Sequence, residues 1–243
     1  MRALRRWTAA LVMIAGLAML ALLLWGWIRR NPQDVPWAPL DLGQPVGLFT
    51  GRKLTALTQD KAQCLALLDR AGIRYTALPP RSAGDQCGYD DAVRLADGGV
   101  RSIGYRPATL GISCPVAASL ALWEWNVVQP AARELLGAEV VAIDHLGSYN
   151  CRRINGRSGG DWSEHARANA VDIAGFRLSD GRQIRVVRDW RDKGAVGQFL
   201  HRVRDGACDL FATTLSPDYN AAHADHFHLD QAYRGAMGWR ACR

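Results

Sequence analysis

Histidine is scarce in this chain, with six among 243 residues. Scarcity makes placement informative, because four of the six (His165, His223, His226 and His228) fall in two short stretches. Other absences narrow the field. No C-x-x-C pair occurs, which excludes the usual zinc-finger and thioredoxin patterns. A basic surplus is nearly absent beyond the first thirty residues. Those thirty hold five arginines and no acid, so the formal net charge of +7 falls to +2 over the rest. That balance gives no ground for a nucleic-acid partner, which needs a clustered basic surface. Between Thr8 and Ile28 there is no charged residue at all.

The uncharged run is the first thing present. Its twenty-one residues would rise about 30 Å as a helix, enough to cross a hydrocarbon core. Arg2, Arg5 and Arg6 precede it, Arg29 and Arg30 stop it, and Trp25 and Trp27 sit where an interfacial aromatic belt would lie. A cleaved signal peptide would show a small-x-small site before Arg29; Gly16 and Ala18 lie inside the run instead. The expectation is one uncleaved anchor over residues 1–30 in the inner membrane, single-pass, with the folded part in the periplasm. In that oxidising compartment Cys64, Cys87, Cys114, Cys151, Cys208 and Cys242 form up to three disulfides. Cys64–Cys87 is expected because the two bracket a small subdomain, and Cys151–Cys208 is a second expectation.

The four prolines of residues 31–47 read as an extended linker. Residues 48–110 read as a small α+β subdomain. Within it, Gln59–Ala71 has helical spacing closed by Gly72, and Ile73–Leu78 alternates like a strand. Pro79–Tyr89 reads as loop. Val93–Leu95 and Val100–Ile103 suggest a hairpin about Gly98-Gly99. Residues 111–243 form the main domain. Ser113–Leu136 is helical with Trp123 in the core, Pro130 should break or kink it, and Gly137 ends it. Ser179-Asp180-Gly181 joins Val171–Leu178 to Arg182–Val187 as a hairpin. Val196, Phe199, Leu200 and Val203 mark a further helix, with His201 a surface histidine.

The chemistry concentrates in S-E-H-A-R-A-N-A-V-D (Ser163–Asp172) and H-A-D-H-F-H (His223–His228). Imidazole and carboxylate are the usual ligands of a catalytic zinc, three from the protein with one position open. Asp172 on a strand, His165 in the loop entering it, and His228 on a neighbouring strand can reach one ion about 2.0–2.2 Å from each donor. A carboxylate ligand with no methionine nearby favours Zn2+ over copper. Alternation puts His226 on the face of His228. His226 and Asp225 are both placed to carry protons. Arg152 or Arg153 could hold a substrate carboxylate or an oxyanion.

S-x-H-x-x-x-x-A-x-D followed by H-x-x-H-x-H resembles the signature of the LAS-type zinc peptidases, which include D-alanyl-D-alanine carboxypeptidases and dipeptidases and murein endopeptidases. The longer stretches S-C-P-V-A-A-S-L-A-L-W-E-W-N-V-V-Q-P-A-A, G-S-Y-N-C-R-R, R-D-G-A-C and L-S-P-D-Y-N-A-A-H-A-D-H-F-H-L-D look like the bacterial extensin-like C-terminal domain family over roughly residues 55–235. The peptidase resemblance implies zinc on His165, Asp172 and His228, a catalytic His226, and a further active-site histidine at His223. Dipeptidase relatives carry a glutamate where this chain has Asp225. Their tyrosine-arginine pair is spread here as Tyr149 and Arg152, the expected substrate-binding residues, and Asn169 or its neighbours replace a usual glycine. The implied fold is α+β, a LAS-type domain with a central antiparallel sheet and flanking helices. The implied function is a membrane-anchored zinc-dependent hydrolase of peptidoglycan stem peptides or cross-links. The alternative is a non-catalytic wall-binding or scaffold protein with the same fold and metal.

Overall fold

A computed structural model describes residues 1–84, 86–235 and 238–243, with every side chain but those of Ala3 and Asn155. The chain begins with α1 (Arg2–Arg30), an apolar helix with no buried residue among those described, whose most apolar window has mean hydropathy 2.4. It is long and apolar enough to span a membrane. The helices α2 (Thr50–Ala56) and α3 (Lys61–Arg70) follow, then strands β1 (Tyr75–Ala77), β2 (Arg81–Ser82), β3 (Gly88–Tyr89), β4 (Ala92–Leu95), β5 (Gly104–Arg106) and β6 (Ile112–Ser113). Next come α4 (Cys114–Trp123), α5 (Gln129–Leu136), β7 (Val140–Gly147), β8 (Ala170–Leu178) and β9 (Gln183–Arg185). The short α6 (Val186–Asp189), the long α7 (Ala195–Leu210), β10 (Thr213–Leu215), β11 (Phe227–Asp230) and β12 (Ala241–Cys242) complete the chain.

The main sheet runs β12-β10-β11-β8-β7-β5, with β9 on β8. Its pairs are antiparallel except β5 with β7 and β10 with β12. The fold is thus α+β, and its sheet is mixed rather than purely antiparallel. The strand period of two divides each strand between faces. Val171 and Ile173 of β8, with Phe227 and Leu229 of β11, are fully buried, while Asp172 and His228 alternate with them. Helix α4 is buried at every position, as expected of a helix apolar all round. Trp123 at its end is fully buried and donates from Nε1 to the carbonyl of Val203 (2.8 Å), which confirms its core role.

Pro130 acts upstream of itself. It has no N–H to offer the carbonyl one turn back, and Glu124–Val128 widens into a π-helical turn before α5 resumes. Gly137 closes α5 in the left-handed conformation (φ +64°). The π turn also delivers Glu124 to a buried ion pair with Arg101 (2.9 Å). The other Glu124 oxygen accepts the backbone N–H groups of Ser102 (2.7 Å) and Ile103 (3.1 Å). This explains why the expected hairpin of Val93–Leu95 with Val100–Ile103 does not form. The backbone donors that would have paired with β4 are taken by Glu124, only Gly98 and Arg101 form a bridge, and β4 pairs with β1 and β6.

Three further expectations need correction. Residues 31–47 are not extended: Pro32–Asp34 forms a 3-10 turn, and Val35, Leu40 and Leu42 are buried. Pro79–Tyr89, which includes Asp85 outside the described residues, holds the small β2–β3 hairpin. The disulfides are Cys64–Cys114, Cys87–Cys151 and Cys208–Cys242, with Cα separations of 6.0, 5.4 and 5.5 Å; neither Cys64–Cys87 nor Cys151–Cys208 forms. Bridging needs Cα atoms about 4.4–6.8 Å apart, so spatial neighbours pair and bracketing in sequence is no guide. Cys64 lies on α3, which packs on α4 where Cys114 sits. The other expected elements are present: α3 with Gly72 at φ +69°, the β8–β9 hairpin with Gly181 at φ +89°, and α7.

Candidate functional site

Register builds the site. Asp172 of β8 stands directly opposite His228 of β11, both on the face opposite the buried Val171, Ile173, Phe227 and Leu229. Beyond β8, Gly147 at the end of β7 pairs with Asp172, so Ser148 arrives beside it. His165 comes from a 3-10 turn, Glu164–Arg167, between β7 and β8. Ser163 caps that turn by accepting the N–H of His165 (3.3 Å). Ala168 ends it in the left-handed region (φ +53°) while fully buried, a strained geometry for a residue with a Cβ. Backbone bonds from Asn150 to the His165 carbonyl (3.0 Å) and from Ser113 to the Ala168 carbonyl (2.8 Å) pin both sides. Asn169 completes the clamp, donating to Glu164 Oε2 (2.6 Å) and accepting from Ser113 Oγ (2.9 Å).

Three donor atoms converge. His165 Nε2 is 3.2 Å from Asp172 Oδ2 and 3.2 Å from His228 Nδ1, and His228 Nδ1 is 3.0 Å from Asp172 Oδ1. These residues form a group able to hold a metal ion. Tetrahedral zinc bonds of about 2.0–2.1 Å put ligand atoms roughly 3.3 Å apart, close to what is seen. The far nitrogens are also occupied. His165 Nδ1 lies 2.6 Å from the Ser148 carbonyl, and His228 Nε2 lies 3.0 Å from Asp230 Oδ2. Both oxygens only accept, so each of those outer nitrogens donates, and a metal ion would take the place of any proton on the converging nitrogens. Hydrogen-bonded outer partners of this kind orient metal-binding histidines.

The electrostatics agree. Burial alone would push the Asp172 carboxyl up, yet hydrogen bonds from His165 and His228 hold it well below the usual carboxylate range. Burial would lower His228, but its bonds to Asp172 and Asp230 raise it to about 9. Without an ion, the His228 proton offsets part of the charge of Asp172 and Asp230, and a metal cation would have to displace it.

The cluster forms one wall of an open cleft of about 1380 Å³. His226 Nε2 faces Asp172 Oδ1 at 3.6 Å, and His226 Nδ1 is held by Asp225 at 2.7 Å. His223 stacks near His226, with ring centroids 5.2 Å apart, and its Nδ1 lies 2.7 Å from Asn220 Oδ1. Burial, reinforced by His226 and His228, lowers the His223 pKa to about 4. Arg152 lines the cleft. Tyr149 does not; its ring packs edge-on against Tyr89 with Arg81 over its face. His201 stays outside, stacked on Trp190. Five of the six histidine- and aspartate-based expectations at the site thus meet directly, with His223 one ring further out.

Sequence reading assigned no role to Ser148 or Asp230. Asp230 had a usable signal, since His228 and Asp230 share one face of β11 and His226, just before the strand, keeps the same period of two. Ser148 acts through its carbonyl, which no residue identity announces.

No curated protein and no solved structure matches the chain. The profile of the family described as extensin-like protein C-terminus matches residues 62–243, from α3 through the candidate metal cluster to the last residue, and on that match the chain belongs to this family.

Proposed function

We propose that the protein is a membrane-anchored periplasmic zinc-dependent hydrolase that cleaves a peptide bond in peptidoglycan stem peptides or cross-links, through a LAS-type arrangement of residues. The observation that carries the reading is the convergence of His165 Nε2, Asp172 and His228 Nδ1, with both outer ring nitrogens tied to oxygen acceptors, at the wall of an open cleft. That donor set fits zinc, and His165, Asp172 and His228 would hold it. Bound zinc would supply a Lewis acid that polarises a carbonyl and acidifies water. The apolar helix and the disulfides support the anchor and an oxidising compartment.

The chain's own groups divide the remaining work. Asp225 accepts the Nδ1 proton of His226 and fixes the ring, leaving Nε2 free to take a proton and return it to a leaving amine. His223, neutral at physiological pH, offers Nε2 to the substrate. Arg152 supplies a cation for a substrate carboxylate. Tyr149 lies off the cleft, so substrate binding rests on Arg152. The test is digestion of purified sacculi by the full chain, with and without a chelator, followed by fragment analysis. New peptide ends that vanish with chelator and return with zinc are expected. Intact sacculi beside zinc-loaded protein would replace the hydrolase with a binding or scaffold role.

A further inference from the structure

A second cavity, of about 330 Å³, adjoins the cleft and shares Ala232, Tyr233, Arg234 and Trp239 with it. Its size is that of a small-ligand pocket, about 300–1,000 Å³. Pro36, Phe49 and Trp239 give it apolar walls, and Arg52, Lys53, Arg234 and Arg240 bring four cationic side chains. Three of these have neutral partners in the described residues. Lys53 donates to the Pro32 carbonyl (2.7 Å), Arg234 to Thr213 Oγ1 (2.7 Å), and Arg240 to the Cys208 carbonyl (3.2 Å). Burial lowers the pKa of Arg240, and although Asp209 opposes this, Arg52 and Arg234 lower it further. Among the described residues no carboxylate lines the cavity; Asp34, Asp209 and Glu164 act on Lys53, Arg240 and Arg234 from beyond its lining, so the lining itself is positive and suits an anion.

The position of the cavity says which anion. Pro32 is two residues beyond the end of α1, and Lys53 is bonded to it. The N–H groups of Leu48 and Phe49 bond to Asp34 Oδ1 (2.8 Å) and the Gln33 carbonyl (2.9 Å), which fixes that rim to the root of the same helix. Trp37 and Leu48, next in sequence to the lining Pro36 and Phe49, are 77% and 80% exposed, and Trp239 is 67% exposed. Arg234 stacks over the Trp239 ring (4.4 Å). Exposed tryptophans beside arginine and lysine match the headgroup region of a bilayer.

We propose that this cavity binds the phosphate headgroup of an anionic phospholipid of the bilayer that α1 enters, docking the folded part onto the membrane surface. The proposal rests on α1 lying in a membrane and is independent of zinc and of hydrolysis. A free phosphate would satisfy the charge but would leave the apolar walls and the exposed tryptophan rim unused. The shared wall then sets the mouth of the cleft beside the membrane.

The test uses the full chain in neutral detergent, with lipid retention read by native mass spectrometry. The probes are dioleoylphosphatidylglycerol, dioleoylphosphatidylcholine and inorganic phosphate. One phosphatidylglycerol per chain should be retained in preference to phosphatidylcholine. The double variant Lys53→Gln/Arg234→Gln, whose amides can still donate to Pro32 and Thr213, should lose that preference by about 10–30-fold, from two basic contacts. Arg29→Gln/Arg30→Gln, which alters the basic end of α1 alone, should keep it. The exposed Trp239→Ala should also weaken retention, and it decides the matter should the double variant unfold. Preference that survives Lys53→Gln/Arg234→Gln, retention left unchanged by Trp239→Ala, preference that vanishes in Arg29→Gln/Arg30→Gln, or capture of inorganic phosphate with no choice between lipids would each overturn the proposal.

Discussion

Two buried polar clusters in this protein look alike by composition and behave differently. Arg101 and Glu124 bring a full ion pair into the core: the guanidinium meets Glu124 and the Ile103 carbonyl, the carboxylate meets Arg101 and two backbone N–H groups, and Arg101 Nε is left without a hydrogen bond among the described residues. Its hydrogen bonds point inward, and the pair closes a loop. His165, Asp172 and His228 turn two ring nitrogens and a carboxylate toward one spot, with the outer ring nitrogens tied to the Ser148 carbonyl and Asp230. That cluster opens on a cleft. Burial of charge therefore does not mark a functional site. Convergence of metal-ligating atoms on an accessible point is the better sign, because it is the arrangement that a cation site requires.

The comparison can be broken from either side. The largest effect is expected at the closed cluster. Glu124→Ala strands a buried guanidinium and two backbone N–H groups, and should cost about 3–5 kcal/mol in equilibrium denaturation. Zinc per folded chain should stay unchanged, and a loss of zinc would show that the two clusters are not separate. At the open cluster, His226→Ala leaves the three donors intact. Its turnover should fall by about 10²–10⁴-fold with zinc retained. Near wild-type turnover there, together with an inactive Asp225→Asn, would move the proton-carrying role to Asp225. The smallest effect is sought at Asp230→Asn. It keeps all three ligands but weakens the acceptor that orients His228, and should loosen zinc by about 10–100-fold in chelator competition. An unchanged affinity would make Asp230 a purely structural neighbour.

The difference between the clusters also explains what the sequence could reveal. A candidate metal site draws on scarce residue types, so His165, Asp172 and His228 stood out, and alternation alone placed His226 with them. Strand and helix periodicity located α3, β8, α7 and the Gly181 turn, because those elements bury one face. The closed cluster left no such trace. Arg101 and Glu124 are ordinary charged residues twenty-three positions apart, and their pairing depends on a π turn that Pro130 induces. The expected hairpin failed for that reason. The disulfides were misread because α3 and the start of α4 meet only in three dimensions. The prolines after α1 suggested a free linker, yet Val35, Leu40 and Leu42 between them are apolar enough to be drawn into the core.

The central claim is that His165, Asp172 and His228 together hold one zinc ion, and elemental analysis of the purified full chain tests it most directly. Wild type should carry about one zinc per chain, while His165→Ala, Asp172→Asn and His228→Ala should each carry almost none, with the folded core retained by circular dichroism. Wild-type protein that stays empty after incubation with zinc, or any of the three variants retaining a full equivalent, would contradict the account.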